Sequence, residues 1–305
     1  MTQPPEITRK SWLMVATLGI VWGSTFLVIE MALEGITPFW LAAARISFAS
    51  ILMTAIWASR GFALFTDRTS QNWPNLIIIG ALSSAVPFIL LSWGQQFVTS
   101  GFAGVSMAAV ALIVLPLAHF LVPGEHLTLR KVFGFLLGFV GVVLLIGGQA
   151  FESTGASMEI FGRFACLGAA CCYALSSVLV RRLPPIDPIG LATILLIIGA
   201  FIVLPAAWIA EGPPPIPTGR TLLILAILGL VPTAAANLLR VLVIRSAGPT
   251  FMSLTNYLVP VWSVLLGALI LNEPLPPSLL LALGLILAGV GLSQYGALKR
   301  LFAAG

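Results

Sequence analysis

Polar residues in this chain gather in short breaks, and the stretches between the breaks are apolar for about 20 residues at a time. The apolar runs cover about 11–30, 38–59, 74–94, 100–122, 129–149, 162–181, 188–209, 220–243, 249–271 and 277–297. The breaks carry helix-stopping or charged residues: Gly35-Ile36-Thr37-Pro38, Asp67–Asn72, Pro123-Gly124-Glu125, Pro184-Pro185, Gly212–Pro217, Gly248-Pro249 and Pro274–Pro277. A helix needs about 20 apolar residues to cross the hydrocarbon of a bilayer. A transmembrane barrel strand needs only about 10, in alternation. The pattern therefore predicts an all-α integral membrane protein with ten transmembrane helices. The first run is expected to stay in place as a signal anchor, since no convincing cleavage site follows it.

The pattern also repeats. Leu117–Gly148 and Leu265–Gly296 align at an offset of 148 residues, with identities at Leu117, Leu121, Glu125, Leu127, Leu137, Gly141, Val142, Leu144 and Gly148. Leucine matches are common in apolar sequence. Glu125/Glu273 and the glycine pairs are not, because the whole chain holds ten acidic residues. Each copy is an apolar run, a turn bearing one Glu, and a second apolar run, which predicts a duplicated helical hairpin. A polar linker at about 149–162 separates five runs from five, so two repeats are expected, 10–149 and 160–297.

Composition narrows the solvent. The chain is 59% hydrophobic and 8% charged, against roughly a quarter charged in soluble domains. Backbone polar groups in lipid must be satisfied within helices or a closed barrel. The net charge of +5 then concerns topology, and nucleic acid is not an expected partner. With the N-terminus in the cytoplasm, ten spans collect Arg9, Lys10, Arg60, Arg68, Arg130, Lys131, Arg181, Arg182, Arg240, Arg245, Lys299 and Arg300 on the cytoplasmic side. The outer side keeps Arg163 and Arg220, and Arg45 lies within the second run. This is the positive-inside bias, and it predicts both termini in the cytoplasm of a bacterial inner (plasma) membrane. Five spans per half invert the second half relative to the first. Inverted repeats point to a secondary carrier with its site between the halves.

Candidate site residues follow from polar positions inside apolar runs. Arg45 sits about seven residues into its run, roughly 10 Å deep, where an unpaired charge is costly. It is either a carboxylate anchor or a structural arginine bound to backbone carbonyls. An offset of 151 places Trp22 on Tyr173 and Thr25 on Ser176, with Ser177 adjacent, so each half offers an aromatic followed by a hydroxyl. Thr233, Asn237 and Arg240 share one helical face, as do Met252, Asn256, Pro260, Ser263 and Gly267. Such stripes line water-filled paths or bond between helices; Arg240 suits snorkelling. Ser106 and Met107 lie near the outer end of the fourth run, and Trp93, Gln95 and Gln96 close the third in an interfacial position. Glu125 and Glu273, just ahead of helices, are expected to be structural hairpin caps.

Several of these features resemble the EamA family of the drug/metabolite transporter superfamily. They are Trp22-Gly23-Ser24-Thr25-Phe26, Ala43-Ala44-Arg45-Ile46, Gly124-Glu125, Asn272-Glu273, Pro260 and the glycine-rich fifth and tenth runs. Within it the chain looks most like the bacterial YddG-like amino-acid exporter branch. The resemblance implies ten helices in a basket, a cavity between spans one to four and six to nine, and export of metabolites. It also favours the structural reading of Arg45, since members with different substrates share it. One departure stands out: Leu112 occupies the position matching Pro260, and Pro116 comes four residues later.

Other signals point away from chemistry. Cys166, Cys171 and Cys172 fit no metal spacing and suit packing as small hydrophobes. His119 is a lone imidazole in an apolar run. Gly134 and Gly138 form a GxxxG face for close packing or dimerisation, so a monomer or weak homodimer is expected. No hydrolase, zincin or phosphate-loop motif occurs, and the linkers are too short for a nucleotide-binding domain. No cofactor, metal or catalytic residue is expected. Transport of small polar metabolites, amino acids foremost, outranks export of purines, sugars or cationic compounds, and then an intramembrane enzyme or a scaffold. With no acid at mid-membrane, transport is expected to be facilitated or exchange-driven.

Overall fold

The structure is a computed structural model that describes residues 8–65, 73–121, 128–147, 158–184, 186–247, 249–252 and 254–303. Glu125 lies outside the described residues. The described chain is helical, with one isolated bridge between Phe65 and Ile186. The helices are α1 (Arg9–Leu33), α2 (Pro38–Ser59), α3 (Trp73–Gly94), α4 (Ser100–Leu121), α5 (Leu129–Gly147), α6 (Glu159–Arg181), α7 (Pro188–Glu211), α8, α9 (Thr255–Leu271) and α10 (Pro277–Ala303). Helix α8 runs through Gly219–Leu228, Gly229–Ala235 and Ala236–Ala247, and a single turn, Pro249–Met252, precedes α9.

Among the described residues eight helices, α1–α4, α6–α8 and α10, are long and apolar enough to cross a membrane. Helix α9 is a shorter apolar helix of 17 residues, and α5 has 19. Their outward faces are apolar too: Ile51 is 69% exposed, Phe120 80%, Phe201 76% and Leu269 77%. A water-soluble bundle would hide such side chains, whereas lipid solvates them. The bundle is that of a multi-pass membrane protein.

Prolines and glycines shape the helices. Helices α3 and α8 are each interrupted by a π-helical stretch, Ala81–Ala85 and Gly229–Ala235. The two stretches begin at the same 148-residue offset as the sequence repeat. In each, an N–H reaches back five residues, Val86 to Ala81 and Ala236 to Val231. Proline accounts for the widening in α8: Pro232 has no N–H and would clash with the carbonyl of Leu228 in an α-turn. In α3 Pro87 comes two residues after the π stretch ends.

The main helix contacts map onto one another when each helix is exchanged for the one five places on, although α4 also packs on α1, α5 and α10 without matching contacts at α9. Helix α1 packs on α9 and α6 on α4; α2 packs on α8 and α7 on α3; α2–α7, α4–α9 and α5–α10 are self-matching pairs. Small residues set the close approaches. A Cβ on Gly23 would meet Trp262 and one on Gly80 would meet Ile198. Gly134 and Gly138 face α10 and α4 inside the molecule: a Cβ on Gly134 would lie 2.6 Å from the Gly289 carbonyl, and one on Gly138 would strike Leu112. The predicted GxxxG face is thus used within the chain.

Side chains tie helix starts across the sequence halves. The Glu273 carboxylate accepts from the Ser100 and Gly101 N–H groups at 2.8 and 3.0 Å. It therefore caps α4 rather than the α10 helix that follows it in sequence. Glu211 does the same for α2, accepting from the Phe39 and Trp40 N–H groups at 3.2 Å and from the Thr37 hydroxyl. Charged acceptors suit these positions because the N–H groups of a first turn have no helical partner and carry the positive end of the dipole.

Candidate functional site

The π stretch of α8 gathers three of the predicted residues. Its widened turn leaves carbonyls without their usual donors, and side chains take them. The Thr233 hydroxyl donates to the Leu228 carbonyl at 2.8 Å. From α1, the Trp22 indole N–H donates to the Pro232 carbonyl at 3.0 Å. The Asn237 side-chain amide donates to the Thr233 carbonyl. From α2, Arg45 Nε donates to Thr233 Oγ1 at 2.8 Å, so this hydroxyl accepts from a cation and donates to a carbonyl at once.

Arg45 is 6% exposed. Its guanidinium lies 4.1 Å from the centre of the Phe88 ring on α3, a cation–π contact that strengthens on desolvation. Tyr173 on α6 lies near Arg45 and packs against both large apolar clusters of the molecule. Five helices (α1, α2, α3, α6 and α8) thus contribute to one polar node in an apolar interior. Arg45 and Thr233 are buried, while Trp22, Tyr173 and Asn237 are half-buried. The structure brings Trp22, Arg45, Tyr173 and Asn237 to it.

The remaining predicted residues are placed otherwise. Thr25 donates to the Val21 carbonyl, and Ser176 and Ser177 both donate to the Tyr173 carbonyl, so their hydroxyl protons are spent within their own helices. Met107 packs at the edge of the cluster around Phe102. Asn256 is exposed and lies apart from the Arg45 node's hydrogen bonds. Glu273 sits at the α4 start described above, remote in role from Arg45.

Sequence reasoning missed two partners, Phe88 and Pro232. Phe88 is one aromatic among 18 phenylalanines, and nothing local marks it as lying under a cation. Pro232, adjacent to Thr233 and five residues before Asn237 in an otherwise apolar run, was the signal for a widened turn. The structure also shows cavities at the two ends of the bundle. One, of about 310 Å³, is lined by Glu30, Leu33, Glu34, Gln95 and Gln96. Another, of about 360 Å³, is lined by Ala63–Phe65 and Ile186–Pro188 at the opposite end. Neither reaches Arg45.

Known proteins resemble this architecture throughout its length. YedA, an uncharacterized inner membrane transporter of Escherichia coli, is 29% identical over 291 residues, covering 94% of this chain and 90% of its own. YvbV, an uncharacterized transporter of Bacillus subtilis, is 25% identical and covers 95% of this chain and 92% of its own. A Chlamydia trachomatis protein described as an S-adenosylmethionine/S-adenosylhomocysteine transporter is 24% identical over 88% of this chain and 84% of its own. A solved crystal structure superposes with a TM-score of 0.67 at 23% identity, covering 96% of this chain and 99% of that one, a likeness of fold. The model of the EamA-like transporter family matches residues 9–147 and again 160–294. Two matches that together span nearly the whole helical bundle mean that the chain belongs to the EamA-like transporter family and is a membrane transporter.

Proposed function

We propose that the chain is a secondary transporter that exports small polar metabolites, amino acids among them, by alternating access between two inverted five-helix repeats, 10–149 and 160–297. In this reading α5 and α9 also cross the bilayer, giving ten spans in a bacterial inner membrane with both termini cytoplasmic. The exchange symmetry of the helix packing supports two equivalent halves, and a carrier built this way works by rocking one against the other.

The observation that carries the substrate reading is the Arg45 node. Nε is held by Thr233, which aims the guanidinium while its terminal N–H groups retain the fork that suits a carboxylate. Tyr173 and Trp22 supply aromatic faces for an ammonium group. A zwitterion presents both charges. S-adenosylmethionine and S-adenosylhomocysteine, which the Chlamydia trachomatis relative is described as transporting, also carry an α-amino-carboxylate end. Closing the node around substrate and opening it to either side requires the bonds to the π stretch to re-form, which a widened, under-bonded turn permits.

The test is counterflow in proteoliposomes preloaded with a panel of amino acids, with purines and sugars as competing panels. Exchange with amino acids, lost in Arg45→Gln, is expected. Exchange confined to purines or sugars would remove the amino-acid assignment.

A further inference from the structure

The seam between α5 and α10 carries charge at one end only. Helix α5 opens with Leu129 and Arg130, and α10 reaches the same level through Tyr295 and Lys299. The Arg130 guanidinium lies 4.7 Å from the centre of the Tyr295 ring, a cation–π contact. Lys299 stands four residues past Tyr295, on the same face of α10. Arg130, Tyr295 and Lys299 are all exposed. Among the described residues the ion pairs join Arg60 to Asp187 and Arg163 to Glu159 and take up neither Arg130 nor Lys299. Beside Arg130 an apolar ridge runs down α5. Leu129, Phe133, Leu136, Val140 and Val143 recur at helical spacing, and each is at least half exposed. Fourteen residues of helix give the ridge a length of roughly 20 Å.

Any lipid solvates such a ridge, but the cations above it are selective. A phospholipid acyl chain spans about 15 Å, half of the ~30 Å hydrocarbon core, so one chain fits along the ridge with its headgroup at the level of Arg130 and Lys299. Tyrosine settles at this interfacial level, and here it also holds the guanidinium in place. The repeat shows that the fold does not require these charges. At the 148-residue offset Arg130 is matched by Ser278, Tyr295 by Gly147 and Lys299 by Phe151, so the equivalent seam end in the other copy has no counterpart. From this we propose that the α5–α10 seam is a binding site for an anionic phospholipid. Arg130 and Lys299 take the phosphate from two sides, and the α5 ridge takes an acyl chain. A cation near an anionic headgroup contributes about fivefold in affinity. The inference does not rest on the amino-acid assignment, because it concerns the outer face of the bundle and is read without transport.

The experiment is thermal melting of the full-length protein in a non-ionic detergent at constant ionic strength, titrated with phosphatidylglycerol. Phosphatidylcholine with the same acyl chains and inorganic phosphate are titrated in parallel. A saturable rise in melting temperature with phosphatidylglycerol is expected, with no saturable rise from either control. Arg130→Gln and Lys299→Gln should each raise the half-saturating lipid concentration about fivefold, and together at least about tenfold. Arg130→Lys keeps the charge and should recover most of the loss, whereas Arg220→Gln, at the opposite end of the bundle, should change nothing. Should Arg130→Gln not fold, Lys299→Gln carries the test from the other helix. Equal titrations by the two lipids, saturation by inorganic phosphate alone, or an unaltered half-saturation in the double variant overturns the proposal.

Discussion

The contact between α5 and α10 makes a quantitative prediction from two glycines on one helix. A Cβ on Gly289 would lie 2.5 Å from the Gly134 carbonyl oxygen, 2.5 Å from the Gly138 nitrogen and 2.7 Å from its Cα. All three neighbours are backbone, so no side chain can swing away. The helices would have to part by about 1 Å, and overpacking of this kind costs about 1–3 kcal/mol. A Cβ on Gly284, five residues earlier, meets nothing within 4 Å among the described residues. Alanine is favoured over glycine in a helix by about 0.5–1 kcal/mol, and at Gly284 that gain stands alone. Gly289→Ala should therefore destabilise by about 1–2 kcal/mol after the same gain is credited, while Gly284→Ala stabilises. The two variants should differ by roughly 2–3 kcal/mol, or at least about 4 °C in melting temperature. The measurement is thermal unfolding in detergent by circular dichroism, at one scan rate because membrane proteins often unfold irreversibly. A Gly289→Ala protein that melts at or above wild type would show that α5 and α10 do not pack backbone to backbone, and the argument would fail.

Three further outcomes follow from the hydrogen bonds. Glu273→Gln keeps one acceptor and loses a charge at the start of α4, so stability should fall by about 1–2 kcal/mol while apparent substrate affinity stays within about twofold; a normal melt with a tenfold shift in counterflow affinity would put Glu273 in the site. Trp22→Phe strands the Pro232 carbonyl and should cost about 1–3 kcal/mol, seen as a lower melting temperature, and Trp22→Phe melting like wild type would contradict that bond. Arg45→Lys cannot reproduce a bond from Nε together with a planar contact on Phe88; exchange should drop at least about tenfold with expression retained, and unchanged exchange would return Arg45 to a purely structural role.

Much of this architecture is legible in the chain alone, because burial in lipid imposes a long apolar run on every helix that crosses it. The run at 188–209 becomes α7, Pro188–Glu211, and Pro38 and Pro277 start their helices where proline costs no hydrogen bond. The family, too, was readable, since its motifs are local in sequence. Tertiary structure decided which polar residues meet. Thr25, Ser176 and Ser177 looked like site hydroxyls but satisfy carbonyls of their own helices, a choice that one-dimensional spacing leaves open. Glu273 sits beside α10 in sequence and caps α4 in space. Arg45 and Thr233 are 188 residues apart, and only the crossing of α2 with the π stretch of α8 brings them within bonding distance. Periodicity determines which face of a helix is polar; which helix that face meets depends on where glycines let backbones approach and prolines widen a turn, and those are properties of pairs of helices.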